Sequence, residues 1–232
     1  MMNHRALLAF CLVGLAAGCA TPQSPAPAPQ VGPDGLVDVR SGRLDELHVL
    51  PGTQLSGYHK VMLDPVAVQL RSDWVKQQHA YNYKIQPTYP RYKDVDQVTK
   101  ETATAVADSL AKAFRAKGFE VVETPGAGVM RVSAKVTDLF VNAPDIVSPG
   151  YTRNLTRDAG EATLSLEARD AVDAKMLARM QHHAIARETP RGNLANDPAN
   201  TLWMETLYQR WAENCVAEIG FAQHDAQASL KN

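Results

Sequence analysis

Apolar residues recur at every fourth position from Val98 to Phe114: Val98, Thr102, Val106, Leu110 and Phe114, with Ala103, Ala107 and Ala113 beside them. Residues so spaced share one helical face. The pattern predicts an amphipathic helix over 97–117, capped by Asp96 at its start and by Gly118 at its end. A second stripe, Trp203, Leu207, Trp211 and Cys215, predicts a helix over Thr201–Phe221 that buries two tryptophans. Between the two stripes the period falls to two. Ala162, Leu164, Leu166 and Ala168 alternate with Glu161, Thr163, Ser165, Glu167 and Arg169, as in a strand with one buried face. Met176–Arg187 returns as its hairpin partner after a turn at 170–175. Val129–Val141 is a longer strand. Met130, Val132, Ala134 and Val136 share one parity and Leu139 and Val141 the other, which predicts a bulge near Asp138. Phe119–Glu123 is a short strand, and Pro125-Gly126-Ala127-Gly128 a turn. His59–Val68 is a strand interrupted at Asp64-Pro65, because proline has no N–H for a ladder. Residues 36–57, 71–95 and 144–160 read as loops. The elements predict a single α+β domain: a mostly antiparallel sheet of about five strands, with two amphipathic helices on one face.

The N-terminal segment follows other rules. A weakly basic start, Met1–Arg5, precedes Ala6–Gly18, 13 residues without charge. A helix that crosses a bilayer needs about 20, so the length fits the apolar part of a signal peptide. Leu15-Ala16-Ala17-Gly18-Cys19 resembles the lipobox of bacterial lipoproteins. That resemblance implies cleavage between Gly18 and Cys19, a diacylglycerol on the Cys19 thiol and an acyl chain on the new amino group. It also implies an outer-membrane address, because Ala20 and not Asp follows the cysteine. Two acyl chains already hold a protein stably at a bilayer. Pro22, Pro25, Pro27, Pro29 and Pro33 follow among small polar residues. Such a run favours extended polyproline II, and residues 20–35 at about 3.1 Å each would reach about 50 Å. The expected organisation is a signal peptide at 1–18, a lipidated Cys19 with a proline-rich linker to residue 35, and one domain over 36–232, facing the periplasm.

Composition narrows the partners. The 232 residues carry a formal charge of −1 and no basic patch, which argues against nucleic acid. The membrane, through the lipid anchor, and an envelope protein are the expected partners. Of three cysteines, Cys11 leaves with the signal and Cys19 is lipidated. Cys215 alone remains, so no intramolecular disulfide forms. No cofactor is expected beyond the covalent diacylglycerol and N-acyl lipid on Cys19.

Tyr58–Val66, the Pro125–Gly128 turn followed by Val132-Ser133-Ala134-Lys135-Val136-Thr137-Asp138, and Trp211-Ala212 together resemble an uncharacterised proteobacterial lipoprotein family, a domain of unknown function. The resemblance runs from Gly42 to the end and implies no activity. The topology also looks like the small α+β domains of transporter-auxiliary and curli-secretion-type lipoproteins, which implies an envelope-assembly role by fold analogy.

Candidate chemistry is sparse. His182 and His183 are adjacent on a strand and point to opposite faces, which excludes an easily shared metal. Gly126-Ala127-Gly128 lacks the third glycine of a dinucleotide loop, Arg131 standing in its place. Cys215 lies on an apolar stripe, where a thiol behaves as a small hydrophobe. Asp64, Asp138, Glu161 and Glu167 could supply paired carboxylates, but nothing in the sequence pairs any two. No catalytic residue and no metal site is assigned. Trp74, Tyr81, Tyr83, Tyr89 and Tyr92, in an otherwise polar stretch, form the candidate binding surface; the competing reading is that these rings pin the loop onto the sheet. The expected function is a non-catalytic binding or envelope-assembly role. The alternatives are an envelope hydrolase, with a cleft lined by carboxylates from 71–95 and 142–160, and a small-ligand or lipid-binding domain with an enclosed apolar pocket.

Overall fold

The computed structural model describes residues 31–53, 55–76, 94–141, 155–156, 158–186, 193–194 and 197–229. In chain order these form β1 (Val37–Asp38), β2 (Glu46–Val49), a 3-10 turn (Leu55–Gly57), β3 (Lys60–Leu63), β4 (Ala67–Leu70), α1 (Val95–Ala116), β5 (Glu120–Val121), β6 (Val129–Val141), β7 (Leu155–Thr156), β8 (Gly160–Asp170), β9 (Met176–Ala186), β10 (Asn193–Leu194) and α2 (Asp197–Ser229). A short helical stretch covers residues 72–76.

The two-residue alternation of Glu161–Arg169 becomes the middle of a sheet ordered β1-β2-β9-β8-β6-β3-β5, with β4 also paired to β6. From β6 through β8, β9 and β2 to β1, each strand runs antiparallel to the next. Strands β3, β4 and β5 are paired parallel. The sheet is therefore α+β architecture as expected, but it has eight strands and is mixed, not five and mostly antiparallel. Two causes account for the difference. A strand that returns to its own sheet through a helix comes back parallel, and α1 is such a crossover between β3 and β5. Strands of two to four residues, such as β1 and β2, are too short to display a period, so 36–57 reads as loop until β9 supplies the partner. β7 and β10 pair separately.

The interruption at Asp64-Pro65 is a step between β3 and β4, which lie one after the other along β6. Asp64 N–H donates to the Val132 carbonyl at 2.9 Å, and Pro65, with no N–H, falls in the gap. The bulge in β6 lies where expected: pairing with β8 shifts between Thr137 and Phe140, and Asp138 has φ +53°. The helix cap moves by two residues. Asp94, not Asp96, caps α1, its side chain accepting from the Asp96 N–H at 3.3 Å. Gly118, at φ +88°, ends the helix as predicted.

Along β6 and β8 the inward side chains, Val132, Ala134, Val136, Leu164 and Leu166, are buried, while Arg131 and Lys135 are exposed. α1 lies against β3, β4 and β5, and α2 against β8 and β9. Both helices cover the apolar face. Burying a leucine such as Leu164 or Leu166 contributes about 2 kcal/mol. No helix among the described residues is long and apolar enough to cross a membrane.

Candidate functional site

The sequence-predicted residues separate in the structure. Gly18, Cys19, Tyr81, Tyr83, Tyr89 and Tyr92 lie outside the described residues. Trp74 is only 4% exposed, and its indole N–H donates to the Val141 carbonyl at 2.7 Å. It is a pin between the 72–76 stretch and the end of β6 and offers no binding surface, which corrects its assignment. The large apolar ring finds the core, and its one polar atom finds the backbone acceptor there.

The carboxylates are held by nearby polar groups. Asp64 accepts from Arg131 Nε at 2.9 Å and from the Ser133 hydroxyl. Burial alone would raise its pKa, but these bonds outweigh burial and hold it below the usual range. Glu161 accepts from Arg71, whose guanidinium lies 4.1 Å over the Phe140 ring. Glu167 pairs with Arg169 at 2.9 Å, and Asp138 stands exposed at the bulge. His182 and His183 take opposite faces, with side chains 23% and 51% exposed. Thr163 Oγ1 lies 3.3 Å from His183 Nδ1, but Glu161 Oε2 is 3.9 Å from Nε2, beyond hydrogen-bond reach. Cys215 is buried, and burial pushes its thiol up to about 12. Among the described residues no three metal-ligating side chains cluster.

A different feature emerges between the helices. One cavity of about 820 Å³ joins Val98, Thr102 and Ala105 of α1 to Met204, Tyr208 and Gln209 of α2. A second, about 520 Å³, joins Ala113 and Ala116 to Glu213, Val216 and Ala217. Ser109, Lys112 and Gln209 line both, so the two adjoin along a trough between the helices. Residue numbers rise together along the two walls, which shows that α1 and α2 run parallel. On the floor the Thr102 and Tyr208 hydroxyls lie 3.3 Å apart, in residues 5% and 4% exposed. Burial pushes the Tyr208 phenol up to about 12 despite its bond to Thr102, so it stays protonated. Each hydroxyl can donate once. One shared bond uses a single O–H, and either hydroxyl can be its donor.

Charges of both signs line the trough: Glu101, Asp108 and Glu205 with Lys100 and Lys112 in the first cavity, and Lys112 and Lys117 with Glu213 in the second, where Arg43 pairs with Glu218 at 3.1 Å. Sequence reasoning missed this trough because nothing local says that α1 and α2 are neighbours. The available signal was Thr102, a hydroxyl in the apolar stripe, facing Tyr208 across the helix pair.

The chain is similar in structure to the PelC dodecamer from Paraburkholderia phytofirmans (12% identity, TM-score 0.34, 72% of this chain and 94% of that one). It is similar also to protein XCC0632 from Xanthomonas campestris (13% identity, TM-score 0.40, 86% and 97%). A third likeness is to lipoprotein GNA1162 from Neisseria meningitidis (12% identity, TM-score 0.31, 66% and 97%). No curated protein matches the chain. The family model described as "Protein of unknown function (DUF3313)" matches residues 34–189, ending before Trp211-Ala212, and the chain belongs to that family.

Proposed function

We propose that the protein is an outer-membrane lipoprotein, anchored through acylated Cys19 and facing the periplasm, whose folded domain is a non-catalytic binding module for an envelope partner. The address rests on Leu15–Cys19 and on the proline-rich run that follows. The binding role rests on one observation, the trough between α1 and α2 with its buried hydroxyl pair. An apolar floor with a few fixed polar groups is the composition of a recognition site. Asp64, Glu161 and Glu167 are engaged by arginines, which favours binding over the hydrolase alternative. The two cavities are partly open and lie between the helices, which favours a macromolecular partner over a ligand enclosed between helices and sheet.

Metabolic labelling with radioactive palmitate tests the anchor. The wild type takes up label and floats with outer-membrane vesicles, and Cys19→Ala does neither; label retained in Cys19→Ala overturns the anchor. A crosslinking pull-down from membranes tests the role. A discrete partner recovered with the anchored form and lost with Cys19→Ala supports it. Hydrolysis of peptidoglycan, lipid or peptide by the purified protein refutes it.

A further inference from the structure

Glu218 lies on α2 between the buried Val216 and Ile219, and it is itself only 6% exposed. Its Oε1 accepts from Arg43 Nη1 at 3.1 Å. The arginine side chain is 46% exposed and the glutamate side chain 7%. A buried carboxylate is costly unless a cation meets it with good hydrogen bonds, so α2 holds this seat only while Arg43 stays beside it. Arg43 also borders the second cavity, whose α2 wall includes Glu213, Asn214, Val216 and Ala217, the turn just before Glu218.

Arg43 belongs to the stretch through which the chain enters the described fold. Residues 31–49 begin with a bridge between Val31 and Val37; β1 then pairs with β2, and β2 with β9. Asp34 reaches Arg179 of β9 at 3.0 Å. Leu36 is 1% exposed and lies apart from the main core. The Ser41 hydroxyl accepts from the N–H groups of Arg43 and Leu44 at 3.0 and 2.9 Å, which fixes the turn that presents Arg43. Asp45 accepts from the His183 N–H of β9 at 2.7 Å. Of these polar contacts, only the one between Arg43 and Glu218 crosses to α2.

We infer that Arg43 and Glu218 form a conformational coupling: the seat of residues 31–49 on β9 and the seat of α2 beside the second cavity change together. If residues 31–49 lift, the carboxylate is left buried without its cation, and this part of α2 must move to bring it to water. Linkage makes the effect reciprocal: whatever steadies α2 there also steadies residues 31–49. With the lipid anchor proposed above, residues 31–49 take the pull of the membrane tether, so the pair relays that pull to the cavity wall. The relay from the membrane rests on the anchor; the coupling between the two seats does not.

The test is hydrogen exchange of the full-length lipoprotein in detergent micelles, read by mass spectrometry. The perturbation is placed on the entry stretch and not on the pair: Leu36→Ala, with Asp34→Asn as the milder change if Leu36→Ala fails to fold. Exchange is expected to speed up in β1 and β2 and also, by about fivefold or more, in α2 over Glu213–Ile219, while the centre of β8 holds. With Arg43→Met in place α2 already exchanges faster, and adding Leu36→Ala then speeds β1 and β2 alone. Glu218→Met removes the buried charge, so α2 stays slow when Leu36→Ala is added. A rate in α2 that neither entry-stretch change moves overturns the inference. So does an effect on α2 that persists undiminished in Arg43→Met or Glu218→Met. A failed palmitate label refutes the anchor and its pull, whereas the exchange alone decides the coupling.

Discussion

On one side of β6 the sheet is a run of antiparallel strands, β8, β9, β2 and β1; on the other, β3, β4 and β5 lie parallel to it. The first side is joined by a tight turn between β8 and β9 and carries long, regular pairing over Gly160–Asp170 and Met176–Ala186. The second is assembled from pieces of two to four residues, brought together by a 22-residue helix. Short strands contribute few ladder bonds, so this side is secured by side chains distant in sequence. Trp74 reaches Val141, Asp64 reaches Arg131 and Ser133, and Tyr58 reaches Asp170. The comparison teaches that one sheet can be held by long, continuous pairing on one flank and by a few polar pins on the other. The pinned flank is expected to open first, because stability is not uniform across a domain.

The largest expected effect lies on the regular flank. Gly160 has φ +149°, and a Cβ there would stand 2.1 Å from the Phe140 carbonyl oxygen. Gly160→Ala should cost at least about 4 kcal/mol, seen as loss of the urea transition or of folded protein. A variant of wild-type stability would show that the long strands do not depend on this close approach. Next is the pin on the other flank. Trp74→Phe leaves the Val141 carbonyl without its donor and should cost about 2 kcal/mol. Hydrogen exchange should accelerate at Ala67–Leu70 and stay unchanged in the centre of β8 and β9; uniform acceleration would erase the distinction between the flanks.

A smaller effect is expected from Asp64, and it depends on pH. Its folded pKa lies below the usual value, about 3.9 for an unfolded aspartate. As the pH falls, the unfolded chain takes up the proton first. The stability that Asp64 contributes is therefore intact above about pH 4 and is lost as the pH falls through the folded value. Asp64→Asn should cost about 1 kcal/mol at pH 7 and flatten the acid limb; urea midpoints at pH 7 and pH 3 that fall in parallel with wild type would rule this out. The smallest change should be a gain. Ala174, in the β8–β9 turn, has φ +60°. Ala174→Gly relieves that strain but adds chain entropy to the unfolded state, for a net gain of about 0.5 kcal/mol, measurable as a rise in melting temperature.

The elements also differ, on both flanks, in how far they could be read from sequence. The β8–β9 hairpin, β6 with its bulge at Asp138, and the stripe of α1 follow from periods of two and 3.6 that operate within a dozen residues. β2 and the sense of β3 and β5 do not, since they depend on partners over fifty residues away, and β1, two residues long, is placed only by β2. The same holds for the site. Trp74 was legible as an aromatic in a polar stretch, but whether such a ring faces solvent or core depends on the acceptor it meets, here the Val141 carbonyl. Thr102 was legible only as a member of the apolar stripe; its meaning comes from Tyr208, 106 positions on.

By itself the sequence determined what local chemistry can determine: two amphipathic helices, the alternating strands, the bulge, the α+β class, and the expectation of a lipid anchor at Cys19. The tertiary structure alone decided that α1 crosses over to make a mixed sheet, that Trp74 is a pin, and that α1 and α2 run parallel with a trough between them. The reason is physical. Periodicity records which face of an element is buried, and it carries no record of which distant face buries it.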